Sequence, residues 1–206
     1  DNLRIEIPQK KDNHKAAELF NTFYFFCTAE NRYTPESVII EWEQPRFSLK
    51  DDARIIIDKN GKWLAYVAVL NTESPYTENI IVFRIHPDYL NCGIGSVLTN
   101  RAEKKAQENI SKAPVQSKVL VRASNFLKME SSSFFLKNLG FSLSRYYFRM
   151  IMELPEQQNK ITLIPEIRID TFSNRKNLKE IIECTEDCFL DHWGWWRMPD
   201  EELWED

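Results

Sequence analysis

The sequence predicts an α/β fold: a mixed, mostly antiparallel central sheet with helices on both faces. Three observations carry this. Two β-rich runs, Ala53 to Ile57 and Trp63 to Leu70, flank Asp58-Lys59-Asn60-Gly61-Lys62. Asn-Gly is the pair favoured in tight turns with positive φ, so these runs form an antiparallel hairpin. Farther on, the run Asn79 to Ile85 leads into a helical pattern and then a further β-rich run, Lys118 to Ala123. That crossover implies local parallel pairing. Finally, the patterns over the first 154 residues follow the order β, α, α, β, β, β, α, β, α, β, which places helices against a single sheet.

Leu3 to Ile7 alternates apolar and polar residues and opens the order as a strand. Asn13 is placed to cap a helix over His14 to Cys27, with Ala17, Leu19, Phe20, Phe23 and Tyr24 at helical spacing. Thr34-Pro35-Glu36 starts a second helix, threonine at the cap and proline at the first position. After the hairpin and the third strand, a long helix runs from Gly93 to Asn109. Ile94, Val97, Leu98, Ala102, Ala106 and Ile110 mark its buried face; Arg101, Glu103, Lys104 and Lys105 mark its wet one. Pro114 closes the connection to the Lys118–Ala123 strand. Glu130 to Leu139 reads as a short helix stopped by Gly140. Phe141 to Leu154 is β-rich and has room for two strands.

Residues 155–160 read as a polar linker between a first domain, 1–154, and a second segment, 161–206. In that segment Thr162 to Phe172 is strand-like. Asn174 precedes a helical pattern through Phe189, and Met198-Pro199-Asp200-Glu201 resembles another helix start. The strand–helix–helix order of the N-terminus thus returns after about 160 residues, as in a duplicated domain whose second copy is incomplete. The chain begins with Asp1 rather than methionine, so further sequence upstream is expected.

Hydrophobic content of 43% and charged content of 28% are ordinary for a globular protein. A net charge of −4 weighs against a general nucleic-acid binder. No apolar run approaches the ~18 residues a membrane span needs, and no signal-peptide pattern opens the chain. None of the four cysteines, Cys27, Cys92, Cys184 and Cys188, forms a CxxC pair, and no histidine pair lies at zinc-finger spacing. No metal site is predicted, and the thiols suit a reducing cytoplasm.

The chemistry concentrates at Gly93 and Gly95, two of only five glycines, between a strand and a helix. Glycine allows close backbone approach to a ligand. The helix start offers unpaired N–H groups and a partial positive charge, which suits a phosphate or pyrophosphate. A helix-start turn without a ligand is the bland alternative. A dinucleotide fingerprint would need a third glycine at Leu98, and a P-loop would need Gly-Lys-Ser/Thr; neither is present.

The segment Ile85-His86-Pro87-Asp88-Tyr89 through Gly93-Ile94-Gly95-Ser96 is similar to the acetyl-CoA signature of the GNAT superfamily of N-acetyltransferases, [Arg or Gln]-x-x-Gly-x-[Gly or Ala]. Phe135-Leu136-Lys137-Asn138-Leu139-Gly140-Phe141 resembles a second motif of that family, and Asn125 falls where it often has asparagine. The resemblance implies that backbone N–H groups of Asn91, Cys92, Gly93, Ile94, Gly95 and Ser96 cradle the CoA pyrophosphate. It implies too that the edge near Ile85 pairs with the pantetheine arm as an added strand, with a splay after Ile85 admitting the thioester. Acetyl-CoA is then the acyl donor, and a small-molecule or protein amine the acceptor.

Three positions depart from the family pattern. The Arg or Gln position is Leu90. The tyrosine that protonates the leaving thiolate in many members is Leu136. The glutamate base of many members is Asn79, which leaves neighbouring Glu78 as the candidate base. Positioning is therefore expected to survive better than acid–base chemistry. The sequence supports either an N-acyltransferase or a CoA-binding scaffold for a catalytic second domain. Phe189-Leu190-Asp191-His192-Trp193-Gly194, Met198-Pro199 and Glu201-Glu202 resemble a stretch of tandem GNAT proteins, including those like mycothiol synthase. Cys92 as a reactive thiol and His86 as a base compete with blander roles, as backbone donor and solvent-facing residue. His192, Trp193, Trp195 and Trp196 suit an acceptor pocket or an apolar anchor. Whether the chain dimerises is left open.

Overall fold

A computed structural model describes residues 3–154, 165, 167 and 178–192. The chain divides into two compact units, Asp1–Phe141 and Ser142–Asp206. The boundary after Phe141 falls before residue 154, the end of the first domain read from the sequence.

The first unit is built on a five-stranded sheet, in order β1 (Arg4–Glu6), β2 (Ala53–Ile57), β3 (Trp63–Leu70), β4 (Glu78–Ile85) and β5 (Leu120–Ala123). The first three pairings are antiparallel and the last, β4 with β5, is parallel. The β2–β3 connection is organised by Asp58, whose Oδ1 accepts from the N–H groups of Asn60 (2.8 Å) and Lys62 (2.9 Å).

Five helices accompany the sheet: α1 (Asn13–Thr28), α2 (Pro35–Trp42), the four-residue α3 (Leu49–Asp52), α4 (Ile94–Asn109) and α5 (Glu130–Asn138). β3 is the central strand and is buried over nearly its whole length. Its alternating side chains feed two cores. Trp63 and Tyr66 join Phe20 of α1, Trp42 of α2 and Ile55 of β2 on one face. Leu64 and Val67 join Ile56, Ile81 of β4 and Leu98 of α4 on the other. Helices therefore cover both faces, as the sequence predicts.

The helix ends are local chemistry. Thr34 Oγ1 accepts from Ser37 N–H and Ser37 Oγ accepts from Thr34 N–H, a reciprocal capping box with Pro35 inside it. At the end of α5, Phe141 N–H donates to Leu136 O and Gly140 N–H to Lys137 O, both at 3.0 Å. This is the two-bond Schellman closure expected of Gly140. Asn13 does not cap α1. A single 3₁₀ turn, Lys10–Asp12, precedes the helix and draws Asn13 into its first turn.

The buried face of α4 differs in phase from the apolar count. Ile94, Leu98, Ala102 and Ala106 are buried, but so are Thr99 and Asn109, while Val97 and Ile110 are largely exposed. The polar pair is accommodated by hydrogen bonds. Thr99 Oγ1 donates to Gly95 O (2.9 Å) and Asn109 Nδ2 to Asn79 Oδ1 (2.9 Å). Lys105, read as wet, is only 18% exposed and holds Asp52 of α3 at 2.9 Å.

The β-rich tract Phe141–Leu154 forms no strand. A β-rich composition fits a pleated, half-buried surface, but it does not supply the neighbouring edge that a strand pairs with. In the second unit the described helix is α6 (Leu178–Phe189), inside the helical pattern read through Phe189. The predicted strand over Thr162–Phe172, the Asn174 cap, the Met198 helix start and the tryptophans from Trp193 onward lie outside the described residues, except Pro165 and Ile167. Among the described residues no helix is long and apolar enough to cross a membrane.

Candidate functional site

The site begins where two strands part. The β4–β5 ladder pairs Glu78 with Leu120 and ends at Ile81 with Ala123. β4 continues to Ile85, still paired with β3, so Val82–Ile85 has no β5 partner. The opening expected after Ile85 thus lies just before it. The unpaired edge, with its backbone polar groups, faces a cavity of about 370 Å³.

Phe83 and Ile85 of β4 line the cavity. One wall is the loop entering α4, with Tyr89, Leu90, Asn91, Gly93, Gly95 and Ser96. The other descends from the end of β5 through Ser124, Asn125 and Met129 into α5, where Ser131, Ser132, Phe135 and Leu136 face it. Phe23 of α1 completes it. Phe23 and Tyr24 meet Phe126 at ring distances of 6.1 and 5.8 Å, anchoring α1 to the β5–α5 loop.

The α4 entry loop is shaped by its backbone. Pro87–Tyr89 forms a single 3₁₀ turn, and His86 Nδ1 accepts from Asp88 N–H (3.3 Å). Asn91 (φ +60°) and Gly93 (φ +80°) are both left-handed. The second conformation suits glycine, because any Cβ there meets strain. Val97 N–H donates to Gly93 O (3.3 Å), and this bond starts the helical ladder. The N–H groups of Ile94, Gly95 and Ser96 therefore have no intrahelical acceptor, and they carry the positive end of the α4 dipole.

The structure brings Ile85, Asn91, Gly93, Gly95, Ser96 and Asn125 to one cavity. Cys92 and Ile94 do not line it. The Cys92 thiol is exposed and donates to Leu90 O (3.5 Å), while Ile94 is buried beneath α4. Asn125 uses its amide for local structure, donating to Met129 O (3.0 Å) and Ser133 Oγ (2.9 Å), which fixes the entry to α5. Glu78 is at the opposite end of β4, five residues before Phe83, or about 17 Å along a strand, and its carboxylate is ion-paired with Arg122. Asn79 is fully buried against Asn109. Neither position reaches the cavity.

The sequence reading missed Phe23, Phe83, Tyr89, Met129, Ser131 and Ser132 as site residues. Phe23 lies on the apolar stripe that the sequence marks in α1, but only the structure shows it half-buried and at the cavity. The serines could be found only by knowing where α5 begins.

Among the described residues that line the cavity there is no Asp, Glu, Lys, Arg or His, and the one phenol among them is Tyr89. Just outside, burial and the nearby Lys62 ammonium hold the His86 imidazole below its usual range, against the opposing pull of Asp88 and Glu18. Lys62 Nζ is 3.4 Å from His86 Nε2, and the Tyr89 ring stands edge-on to the imidazole at 5.7 Å. Burial also pushes the Cys27 thiol up, partly offset by Lys128, and Cys27 Sγ meets Met129 Sδ at 3.4 Å behind the cavity wall. Among the described residues no group of three or more His, Cys, Asp or Glu is placed to hold a metal ion.

Comparison with known proteins falls on the same region. The profile of the Acetyltransferase (GNAT) family matches residues 13–129. A GCN5-related N-acetyltransferase from Sphaerobacter thermophilus superposes with a TM-score of 0.62 at 22% identity, covering 68% of this chain and 43% of its own. An acetyltransferase of the GNAT family from Streptococcus pneumoniae gives 0.52 at 17%, covering 69% and 86%. The putative acetyltransferase YncA from Salmonella typhimurium, solved with its cofactor acetyl-CoA, gives 0.54 at 16%, covering 70% and 82%. At these identities the likeness is one of fold. The chain spans less than half the length of the Sphaerobacter protein. No curated protein sequence matches the chain.

Proposed function

The chain belongs to the acetyltransferase (GNAT) family, and on that premise we propose that it transfers an acyl group, acetyl first among them, from acyl-CoA to an amine. The observation that carries this is the meeting, on one cavity, of an unpaired strand edge and an amide-rich helix start. An extended pantetheine arm carries amide groups that match the vacant edge at Val82–Ile85. A pyrophosphate at its far end suits the free N–H groups of Ile94, Gly95 and Ser96. That YncA was solved with acetyl-CoA supports the same donor here.

Direct attack by the amine on the thioester needs the two held together, which can lower a barrier by about 7–11 kcal/mol when orientation is good. Backbone N–H groups at the parted edge would polarise the carbonyl. Glu78 is too remote to take the proton, so the proton would leave through water. The acceptor would be a small-molecule or protein amine.

A second reading has its own observation. Leu90 and Leu136 put aliphatic side chains into the cavity at the positions where the family places a phosphate contact and an acid. On that reading the unit binds CoA without turnover and supports a catalytic partner domain. We include residues 161–206 in the proposal as the start of such a domain, joined through 155–160. The greater length of the Sphaerobacter protein is compatible with that. A cytoplasmic setting is also part of the proposal, on the four unpaired cysteines.

Calorimetry with acetyl-CoA, followed by thiol release with an amine panel, separates the readings. Binding with turnover supports the enzyme, and binding alone supports the scaffold. No binding removes both.

A further inference from the structure

We propose that the outer edge of β1 joins a second copy of this chain, antiparallel about Ile5, so that two five-stranded sheets run on as one of ten. The proposal stands apart from the acyl-transfer reading, because β1 is on the opposite side of the sheet from the parted β4–β5 edge.

The edge itself is the first observation. β1 pairs with β2 on one side, and among the described residues no strand pairs with the other. Backbone N–H and C=O groups on that side are open to a further strand. Leu3, Ile5 and Ile7 are 44%, 40% and 43% exposed. Ile5 stands opposite Ile56, on the face of the sheet that α4 covers. Ile5 and Ile7 line a groove of about 480 Å³ there, with Arg54 of β2 and Arg101 of α4. Arg4 and Glu6 alternate to the other face and are exposed as well.

The second observation is a symmetry in the strand. Leu3-Arg4-Ile5-Glu6-Ile7 reads apolar, cation, apolar, anion, apolar. A two-fold axis at Ile5 sets Arg4 of each copy opposite Glu6 of the other, both pairs on one face. On the other face it sets Leu3 opposite Ile7, again in both directions, and Ile5 opposite itself. Opposed residues of an antiparallel pair share a face with Cβ atoms about 4.5–5.5 Å apart, within reach of an ion pair. Other registers lose this match. Centred on Arg4, the pairing opposes Arg4 to itself; centred on Glu6, it opposes Glu6 to itself. Parallel in-register pairing opposes like charges at both positions. A slip of one residue sets charged side chains against apolar ones.

Within one copy Arg4 Nε and Glu6 Oε1 are 3.5 Å apart. That contact leaves the terminal guanidinium nitrogens and the second carboxylate oxygen for the other copy. Charged residues on an edge strand ordinarily keep copies apart. Here the charges are opposite in sign and symmetric about an apolar centre, so a second copy is attracted. Two edges this short bury less than the ~1,200 Å² of a standard interface, so the dimer is weak and depends on the charge pairs.

The test uses the 206-residue chain. Sedimentation equilibrium at low salt, from about 10 to about 500 µM, spans the range of a weak interface and should show a monomer–dimer equilibrium. Arg4→Glu and Glu6→Arg should each weaken association about tenfold, because each turns both ion pairs into like-charge pairs. The double substitution exchanges the charges and should recover the parent constant within about threefold. An equimolar mixture of the two single variants should form a heterodimer, since one brings two carboxylates and the other two guanidinium groups. A parent that stays monomeric throughout overturns the proposal. So does a dimer that the single substitutions leave unchanged, or one that the charge exchange fails to restore. Amide hydrogen exchange in the parent decides the matter even if a variant fails to fold. Exchange at Arg4–Glu6 should slow as protein concentration rises, and exchange independent of concentration overturns the proposal.

Discussion

Ile81 and Ala123 form the last rung of the parallel ladder between β4 and β5. Beyond that pair the two strands diverge, and the backbone of Val82–Ile85 is left for another partner. If the partner is the pantetheine arm, its effect is local. Acetyl-CoA should slow amide hydrogen exchange in Val82–Ile85 and in Asn91–Ser96. It should leave the β2–β3 hairpin, on the far side of β4, unchanged. Protection confined to other segments, with those two unaffected, would show that the donor binds elsewhere.

Gly93 and Gly95 lie two residues apart, but the structure asks different things of them. Gly93 has φ +80°, and a Cβ built there meets nothing within 4 Å. Its constraint is conformational, and Gly93→Ala should destabilise the fold by about 1–2 kcal/mol. Gly95 has ordinary helical backbone. Its added Cβ would lie 3.5 Å from the Phe135 ring and 3.9 Å from Ile85 Cδ1, contacts of normal length. Gly95→Ala therefore fits the empty protein, and alanine is the better helix former. Its Tm should hold or rise while acetyl-CoA affinity falls at least tenfold, because the methyl stands between two cavity residues. Thermal denaturation and calorimetry on both variants read the two effects separately. A Gly95→Ala protein that binds with full affinity would remove the Gly95 wall of the cavity from the binding path.

Asn79 of β4 and Asn109 of α4 form a buried amide pair. Both side chains are buried, at 0% and 1% exposure, and one hydrogen bond of 2.9 Å joins them. Among the described residues Asn79 Nδ2 and Asn109 Oδ1 have no hydrogen-bond partner, so the pair is only partly satisfied. Removing one member strands the other. Asn79→Ala and Asn109→Ala should each destabilise by about 1–3 kcal/mol. The double substitution should cost clearly less than their sum, because no buried amide is then left alone. Denaturant titration of the three variants measures the coupling, and strict additivity would contradict the pairing.

Sequence reasoning reached the sheet and the Gly93 loop because both are written in local chemistry. Asn60-Gly61, Thr34-Pro35 with Ser37, and Gly140 after Leu139 each fix backbone geometry within a few residues. The cavity itself is not local. Phe23, Phe83 and Phe135 are far apart in sequence, and only the parting of β4 from β5 brings them together. The phase error on α4 has the same origin. Thr99 and Asn109 stand outside the apolar count, yet a bond to Gly95 O and another to Asn79 let them be buried. Glu78 draws interest only through adjacency to Asn79. Strand geometry instead places both at the end of β4 remote from the opening, and gives Glu78 to Arg122. The β-rich tract Phe141–Leu154 shows the limit from the other side, since a composition that suits a strand does not supply its neighbour.

His86 gives the fold a pH dependence whose sign is fixed by its surroundings. Its side chain is 14% exposed. Burial and the Lys62 ammonium disfavour the imidazolium more than Asp88 and Glu18 favour it, so its folded pKa is below the ordinary value of about 6.5. Between that lowered pKa and about 6.5 the unfolded chain binds more protons than the native one. Stability therefore rises with pH through this window. The contribution is complete above pH 6.5 and is lost as pH falls through the window, with a slope of at most about 1.4 kcal/mol per unit for one proton. His86→Gln retains a side chain that can accept from Asp88 N–H but cannot titrate. Its unfolding free energy should be flatter than that of the parent between pH 5 and 7, and parallel to it above pH 7. Lys62→Met should narrow the window by removing one of the two causes. Urea titrations at half-unit pH steps on all three proteins decide it. A parent curve that falls with rising pH over this range would mean that the carboxylates, not burial and Lys62, control the ring.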